Sequence, residues 1–324
     1  MTIAIIGAGI AGAACAARLT QQGHQVVVFD KGRSAGGRMS SKRTEQGYLD
    51  LGAQYFTARS EAFRAQCAKW LQAGTISRWN GRLAVFDDSG LHPSPDNTAR
   101  YIGQPAMQAP VVQLLGNISL HCNCPVDQLQ FDGNHWQLFS KGIALGSFSQ
   151  LVLAIPQQQA RQLLQPFLPQ SARLTTLFAA TALLPCWAVN IQLEQPLLPY
   201  DAVFVKNHSI SWLARQASKS GRCSAEHWLL HFSPAFSAQH LEASTEAIAE
   251  QAVIALQQIS GQPINAVTTL CHRWRYAQQA PQYPVSGAVY LPDLALGLAG
   301  DWLNGGRVEN AWLSGVQLAA ELVL

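Results

Sequence analysis

Thr2-Ile3-Ala4-Ile5-Ile6 runs straight into Gly7-Ala8-Gly9-Ile10-Ala11-Gly12, and a small-residue stretch then leads to Gln25-Val26-Val27-Val28-Phe29 and Asp30. An apolar run, a G-x-G-x-x-G turn, a helix, a second apolar run and an acid together predict a βαβ unit. Gly7 permits the tight turn off the strand, Gly9 lets backbone approach a pyrophosphate, and Gly12 lets the helix pack closely on the sheet. The N–H groups of Ile10 and Ala11 at the helix start then face the phosphates. Asp30 sits where a carboxylate accepts hydrogen bonds from adenosine ribose hydroxyls. A glycine loop alone is a weak signal. With the strand before it, the helix between and the acid after, it predicts an α/β chain that binds a dinucleotide.

The next block narrows the choice of dinucleotide. Lys31-Gly32-Arg33-Ser34-Ala35-Gly36-Gly37-Arg38 carries three glycines and three cations, too many for a helix interior. Gly36-Gly37 allows backbone to run against a flat or charged ligand, and Arg33 and Arg38 are expected to neutralise pyrophosphate. Tyr48-Leu49-Asp50-Leu51 alternates as a strand and breaks at Gly52, leading into Ala53-Gln54-Tyr55-Phe56-Thr57-Ala58-Arg59. Far downstream, Leu294 to Ala299 reads as a buried strand opening into Gly300-Asp301-Trp302. A Gly305-Gly306-Arg307 turn and a C-terminal helix through Leu324 follow.

These blocks resemble the flavin-containing amine oxidase superfamily and, within it, the renalase family in its bacterial form. The resemblance extends through Arg100–Met107 (RYIGQPAM), His272–Ala277 (HRWRYA) and Gly300–Gly315 (GDWLNGGRVENAWLSG), and so over essentially the whole chain. It implies a Rossmann-like FAD domain of the glutathione-reductase and amine-oxidase type beside a mixed-sheet substrate domain. FAD is expected to bind without a covalent link, consistent with a lack of cysteine or histidine in the flavin-adjacent segments. The implied activity is oxidation of 1,2- and 1,6-dihydro-NAD(P) to NAD(P)+, with electrons passing to O2 to give hydrogen peroxide. The implied cofactor contacts are Gly7, Gly9, Ile10, Ala11, Gly12, Asp30, Lys31, Arg38, Gly52, Ala53, Gln54, Val126, Gly300, Asp301 and Val308. The implied substrate contacts are Gln54, Tyr55, Phe56, Thr57, Ala58, Trp187, Trp274 and Arg307, with Tyr55 and Thr57 positioning the ring. The N-terminus of the last helix, near Val308-Glu309, is expected to stabilise negative charge on the reduced flavin.

Composition excludes several other classes. A chain of 324 residues exceeds the size at which one core keeps growing, so two lobes are expected. Charged residues make up 13% and the net charge is +3 with no basic run, which gives nucleic-acid binding little support. The longest apolar stretch, Leu174 to Ile191, contains three threonines, Pro185 and Asn190. It is too polar to span a membrane and reads as a strand pair. The N-terminus enters a strand with no charged leader region, and seven scattered cysteines suit a reducing compartment, so a cytoplasmic enzyme is expected.

Pattern places the FAD domain at 1–58, 92–160 and 286–324, and the substrate domain at 59–91 and 161–285. The first includes a hairpin at Phe131-Asp132-Gly133-Asn134-His135-Trp136 and a strand Leu151–Ile155 followed by a Gln-rich helix. The second includes strands near Trp187–Leu193, His208–Ala214 and His227–Phe232, and a helix over Ala243–Ile259.

Other motifs have plainer readings. Gly32-Arg33-Ser34-Ala35-Gly36 fits G-x-S-x-G, but no helix follows it as a hydrolase elbow requires. His227 and His231 sit in a strand-like segment with no acid to complete a metal set, so no metal is expected. Asp50 is either a functional carboxylate or a pin for the turn. Arg273 and Arg275 share one strand face by period two, which puts Trp274 on the other. Trp274 is expected to face the flavin, with Trp187, Trp212 and Trp302 as further wall candidates and Arg307 as the cavity arginine. Asn310 is read as a cap or a cavity contact.

A dihydropyridine already holds a labile hydride, so the protein needs to position the ring rather than move a proton. Amine oxidation, the alternative together with a related desaturase, commonly uses a lysine near flavin N5 in the wider superfamily. This chain has six lysines and none after Lys219. A non-catalytic FAD-binding module is the third class, and no residue pattern speaks for it. The sequence leaves the oligomeric state open.

Overall fold

The computed structural model describes residues 2–280 and 286–322. Its frame is a six-stranded sheet in the order Ala288–Leu291, Leu296–Ala299, Gln150–Leu153, Thr2–Ile6, Gln25–Phe29 and Ser119–His121. All pairings are parallel except that of the first two strands. Parallel strands are covered on both faces, which is why these segments are continuous apolar runs. On one face the first helix, Ile10–Gln21, packs against the last, Val308–Glu321. A Cβ at Gly315 would lie 2.1 Å from the Ala11 carbonyl oxygen, so only glycine permits this approach. The other face carries a three-stranded antiparallel sheet of Gln128–Phe131, Trp136–Ser140 and Ile143–Phe148. Trp136 is fully buried there and donates its indole N–H to the Leu294 carbonyl at 2.7 Å.

The second large sheet has seven strands, ordered Ala266–Gln279, Leu183–Leu193, His227–Phe232, Ile210–Arg215, Ala202–Val205, Leu83–Asp87 and Gly90–Pro93. The helix Thr245–Ser260 covers one face with Ile248, Ala252, Ala255, Leu256 and Ile259. Ser244 caps its start by accepting from the Ala247 N–H, and Gly261 ends it in the left-handed conformation at φ +68°. Truncating a side chain buried like Leu256 to alanine costs about 2–5 kcal/mol.

One expected element is corrected. The stretch from Leu174 to Ile191 is a helix followed by a strand, Ala172–Ala180 and Leu183–Leu193, rather than a strand pair. Ser171 accepts from the Leu174 N–H and starts the helix, and Leu174 and Phe178 bury one face at i, i+4 spacing. Among the described residues no helix is long and apolar enough to cross a membrane.

Candidate active site

The strand Thr2–Ile6 delivers Gly7 at φ +108°, where a Cβ would meet the Ala154 carbonyl oxygen at 2.5 Å. A Cβ at Gly12 would fall 2.0 Å from the Gly7 oxygen, so this glycine serves packing rather than ligand contact. Gly9 differs from both: its Cβ would meet no heavy atom within 4 Å, and it borders the main cavity. The first N–H groups of the following helix lack intrahelical acceptors. Ile10 and Ala11 border the cavity beside them. Asp30 borders it too, and its two oxygens accept from Ala8 N–H and Gly32 N–H at 2.6 Å each. Each oxygen keeps a second lone pair for a ribose hydroxyl.

Gly36 and Gly37, at φ +133° and +54°, bring the second glycine loop against the first. Gly36 donates its N–H to the Ala8 carbonyl at 2.9 Å, and a Cβ on Gly37 would sit 3.3 Å from the Gly9 Cα. Arg38 borders the cavity and is also tied into the fold. Its guanidinium forms a two-pronged ion pair with Asp301 and donates to the Ala277 carbonyl at 2.8 Å, so it ties the loop to the Gly300-Asp301 turn. Arg33 is exposed and does not border the cavity; Lys31 is exposed and does.

The cavity holds about 1140 Å³, above the roughly 300–1,000 Å³ of ordinary small-ligand sites. Gly52, Ala53, Val126, Gly300, Asp301, Arg307 and Val308 border it. Gly52 admits no side chain, because a Cβ would lie 2.1 Å from the Arg38 carbonyl oxygen. Trp274 also borders the cavity and donates to the Leu51 carbonyl at 3.0 Å. Arg273 and Arg275 also contribute to the cavity lining, but their guanidinium groups turn away to pair with Glu242. Trp302 borders the cavity with its indole N–H on the Ile155 carbonyl at 3.1 Å.

Several expected contacts lie elsewhere. Trp187 is buried on the helix-covered face of its sheet, under the Arg273 guanidinium, with its indole N–H on the His240 carbonyl. Gln54 is buried behind the turn and donates to the Asp50 and Gly52 carbonyls at 2.9 and 3.0 Å. Phe56 exchanges backbone hydrogen bonds with Tyr101, which carries its ring into the core against Phe63 and Trp70. Tyr55 packs with Trp79 and Trp212 beneath Arg100. Thr57 and Ala58 are half-buried and do not border the cavity. Asn310 accepts from Asn304 through its backbone oxygen and lies off the cavity.

Sequence reasoning missed Cys124, Cys186, Ser211, His231 and His272, all of which border the cavity. The premise that no cysteine or histidine lies near the flavin is therefore wrong: strands distant in sequence supply them. Period two contained the signal for Cys186, since Trp187, Val189 and Ile191 face the helix layer and Cys186 the opposite side. Burial pushes the Cys186 thiol up to about 12. Burial pulls His231 down to about 4, helped by the charge of Lys219 and opposed by its hydrogen bond to the Leu51 carbonyl at 3.1 Å. His272 is also lowered by burial, so both cavity histidines are neutral at pH 7.

Residues 5–70 match the NAD(P)-binding Rossmann-like domain, and residues 79–323 match the flavin containing amine oxidoreductase family. The chain is similar in fold to a putative protoporphyrinogen oxidase from Exiguobacterium sp. 255-15 (TM-score 0.79, 13% identity, 99% of this chain and 98% of that one). It is likewise similar to the cyclohexylamine oxidase of Brevibacterium oxydans (TM-score 0.75, 14% identity, 99% and 98% covered). A 4,4'-diapophytoene desaturase of Staphylococcus haemolyticus is 48% identical over 52 residues, 16% of this chain and only 10% of the desaturase. FAD is the cofactor of the matching family, and the open Gly9 face, the glycine loops and two helix starts on one cavity fit it. The chain belongs to the flavin containing amine oxidoreductase family and is an FAD-dependent oxidoreductase.

Proposed function

We propose that this enzyme oxidises 1,2- and 1,6-dihydro-NAD(P), the renalase-type reaction. The balance is dihydro-NAD(P) + H+ + O2 → NAD(P)+ + H2O2. When bound, FAD supplies the two-electron acceptor and the route to oxygen. The observation that carries the reading is the make-up of the cavity: among the described residues no lysine borders it except the exposed Lys31 of the first loop, and burial leaves His231, at about 4, too weak a base to take a proton from an ammonium group. A dihydropyridine needs no deprotonation before its hydride leaves, whereas an ammonium substrate does.

The protein's share of the work is placement. Trp274 and the Leu51–Ala53 turn form a fixed wall for a planar ring, and the cavity extends past Arg307, which borders it exposed to solvent. That cation suits an anionic dinucleotide better than a simple amine. Free cysteines throughout the chain accord with a cytoplasmic setting, where these nucleotides occur. Product analysis tests the proposal: incubation with each dihydro isomer in air should yield one NAD(P)+ and one H2O2 per O2 consumed. Oxygen uptake with amines and none with the dihydro isomers would replace this reading with amine oxidation.

A further inference from the structure

Behind the Gly52–Ala53 turn lies a fully buried charge cluster that the reaction above does not use. Asp50 Oδ2 accepts from Arg222 Nε at 2.9 Å and from Lys219 Nζ at 3.3 Å, and all three side chains are sealed from water. Asp50 Oδ1 accepts from the Ser41 hydroxyl at 2.6 Å. Arg222 is further satisfied by the Gly103 and Pro105 carbonyls, so Asp50 and Arg222 balance one another without help. Lys219 is then a surplus buried cation. Such a charge is costly to a fold unless fully paired.

The surplus charge is aimed at the cavity wall. Lys219 Nζ donates to Gln54 Oε1 at 2.7 Å, its shortest polar contact, and sits 5.5 Å from the centre of the Trp79 ring. That bond leaves the Gln54 amide N–H₂ to hold the Asp50 and Gly52 carbonyls. Lys219 does not itself border the cavity, but two hydrogen bonds connect it to the backbone of Gly52, which does. We propose that Lys219 is a positioning residue: through Gln54 it fixes the flavin-facing turn, and it holds one surplus positive charge behind that turn, favouring the anionic reduced flavin. The inference rests on FAD as cofactor and holds for either substrate class.

Burial brings Lys219 down to about 8, opposed by Asp50 and reinforced by Arg222. The ionisable groups facing it are Asp50, Arg222 and His231, of which His231 is held down at about 4 by burial. The test measures the midpoint potential of the FAD-loaded protein from pH 6 to 10, with thermal unfolding of each variant. Wild type should show a bend near pH 8. Lys219→Met should lose the bend and disfavour two-electron reduction at pH 7 roughly tenfold, an electrostatic loss across low-dielectric protein, yet unfold no lower than wild type. Lys219→Arg keeps the charge and should match wild type at pH 7 without the bend. A Lys219→Met protein with wild-type potentials across the range overturns the proposal. So does one that fails to fold or is strongly destabilised, since the lysine would then be structural.

Discussion

Trp274 donates its indole N–H to the carbonyl of Leu51 over 3.0 Å, joining the edge strand of one sheet to the turn that leaves another segment of the cavity wall. His231 donates to the same oxygen at 3.1 Å. A carbonyl only accepts, so His231 Nε2 carries the proton of this bond, which opposes the fall in basicity that burial imposes on the ring. Replacing Trp274 by phenylalanine keeps most of the wall and removes one donor. A stability loss of about 0.5–1.5 kcal/mol is expected. Flavin reduction should slow while reoxidation by oxygen changes little, which single-turnover absorbance separates.

The three glycines of the first loop should respond differently. Gly12→Ala drives a Cβ to 2.0 Å from the Gly7 oxygen and should lower the melting temperature of the FAD-free protein. Gly9→Ala meets no protein atom and should leave that melting temperature unchanged while weakening FAD affinity. Calorimetric titration with FAD, paired with FAD-free melting curves, reads both effects. Equal melting losses in the two variants would assign Gly9 to packing.

Two buried groups make stability rise with pH, His231 on the acid side and Lys219 on the alkaline side. An unfolded histidine takes up a proton near 6.5, but His231 resists until about 4. Between those values the unfolded chain binds the extra proton, so wild type should lose stability as pH falls from about 6.5 towards 4, and His231→Gln should lose less. Lys219 releases its proton near 8 in the fold and near 10.5 when unfolded. Across that window the unfolded chain again holds the extra proton, so wild type should gain stability relative to Lys219→Met as pH rises. Urea unfolding at a series of pH values checks both signs.

Much of this site was legible because it is local. The glycine loop, the acid at Asp30 and the Gly36-Gly37 pair lie within one short stretch, and their chemistry is set by backbone geometry. Trp274 facing the cavity followed from period two, since Arg273 and Arg275 must share the other face. Phe56 was misassigned because its direction is set by a backbone bridge to Tyr101, a contact that leaves no mark in the local pattern. Asp50, Lys219 and Arg222 meet only when the turn after one strand packs on a distant loop, a contact that leaves no mark in the sequence around any of the three.

Acid precipitation should release FAD into the supernatant. Cysteines border the cavity, but Cys186 is held as a neutral thiol at about 12 and points its hydrogen at the Trp187 and Phe232 carbonyls, and attack requires the thiolate. Yellow colour retained in the pellet would identify a covalent tether, and Cys124→Ser and Cys186→Ser would locate it.

The central claim is that hydride transfer here needs placement and no protein base. Stopped-flow reduction of the FAD-loaded enzyme under nitrogen tests it most directly, with 1,2-dihydro-, 1,6-dihydro- and 1,4-dihydro-NAD(P) and a primary amine as separate reductants. Rapid flavin bleaching by the 1,2- and 1,6-isomers is expected, with a rate flat from pH 6 to 7.5, below the Lys219 transition and above that of His231. Fast bleaching by the amine alone, with a rate rising tenfold per pH unit, would contradict the account.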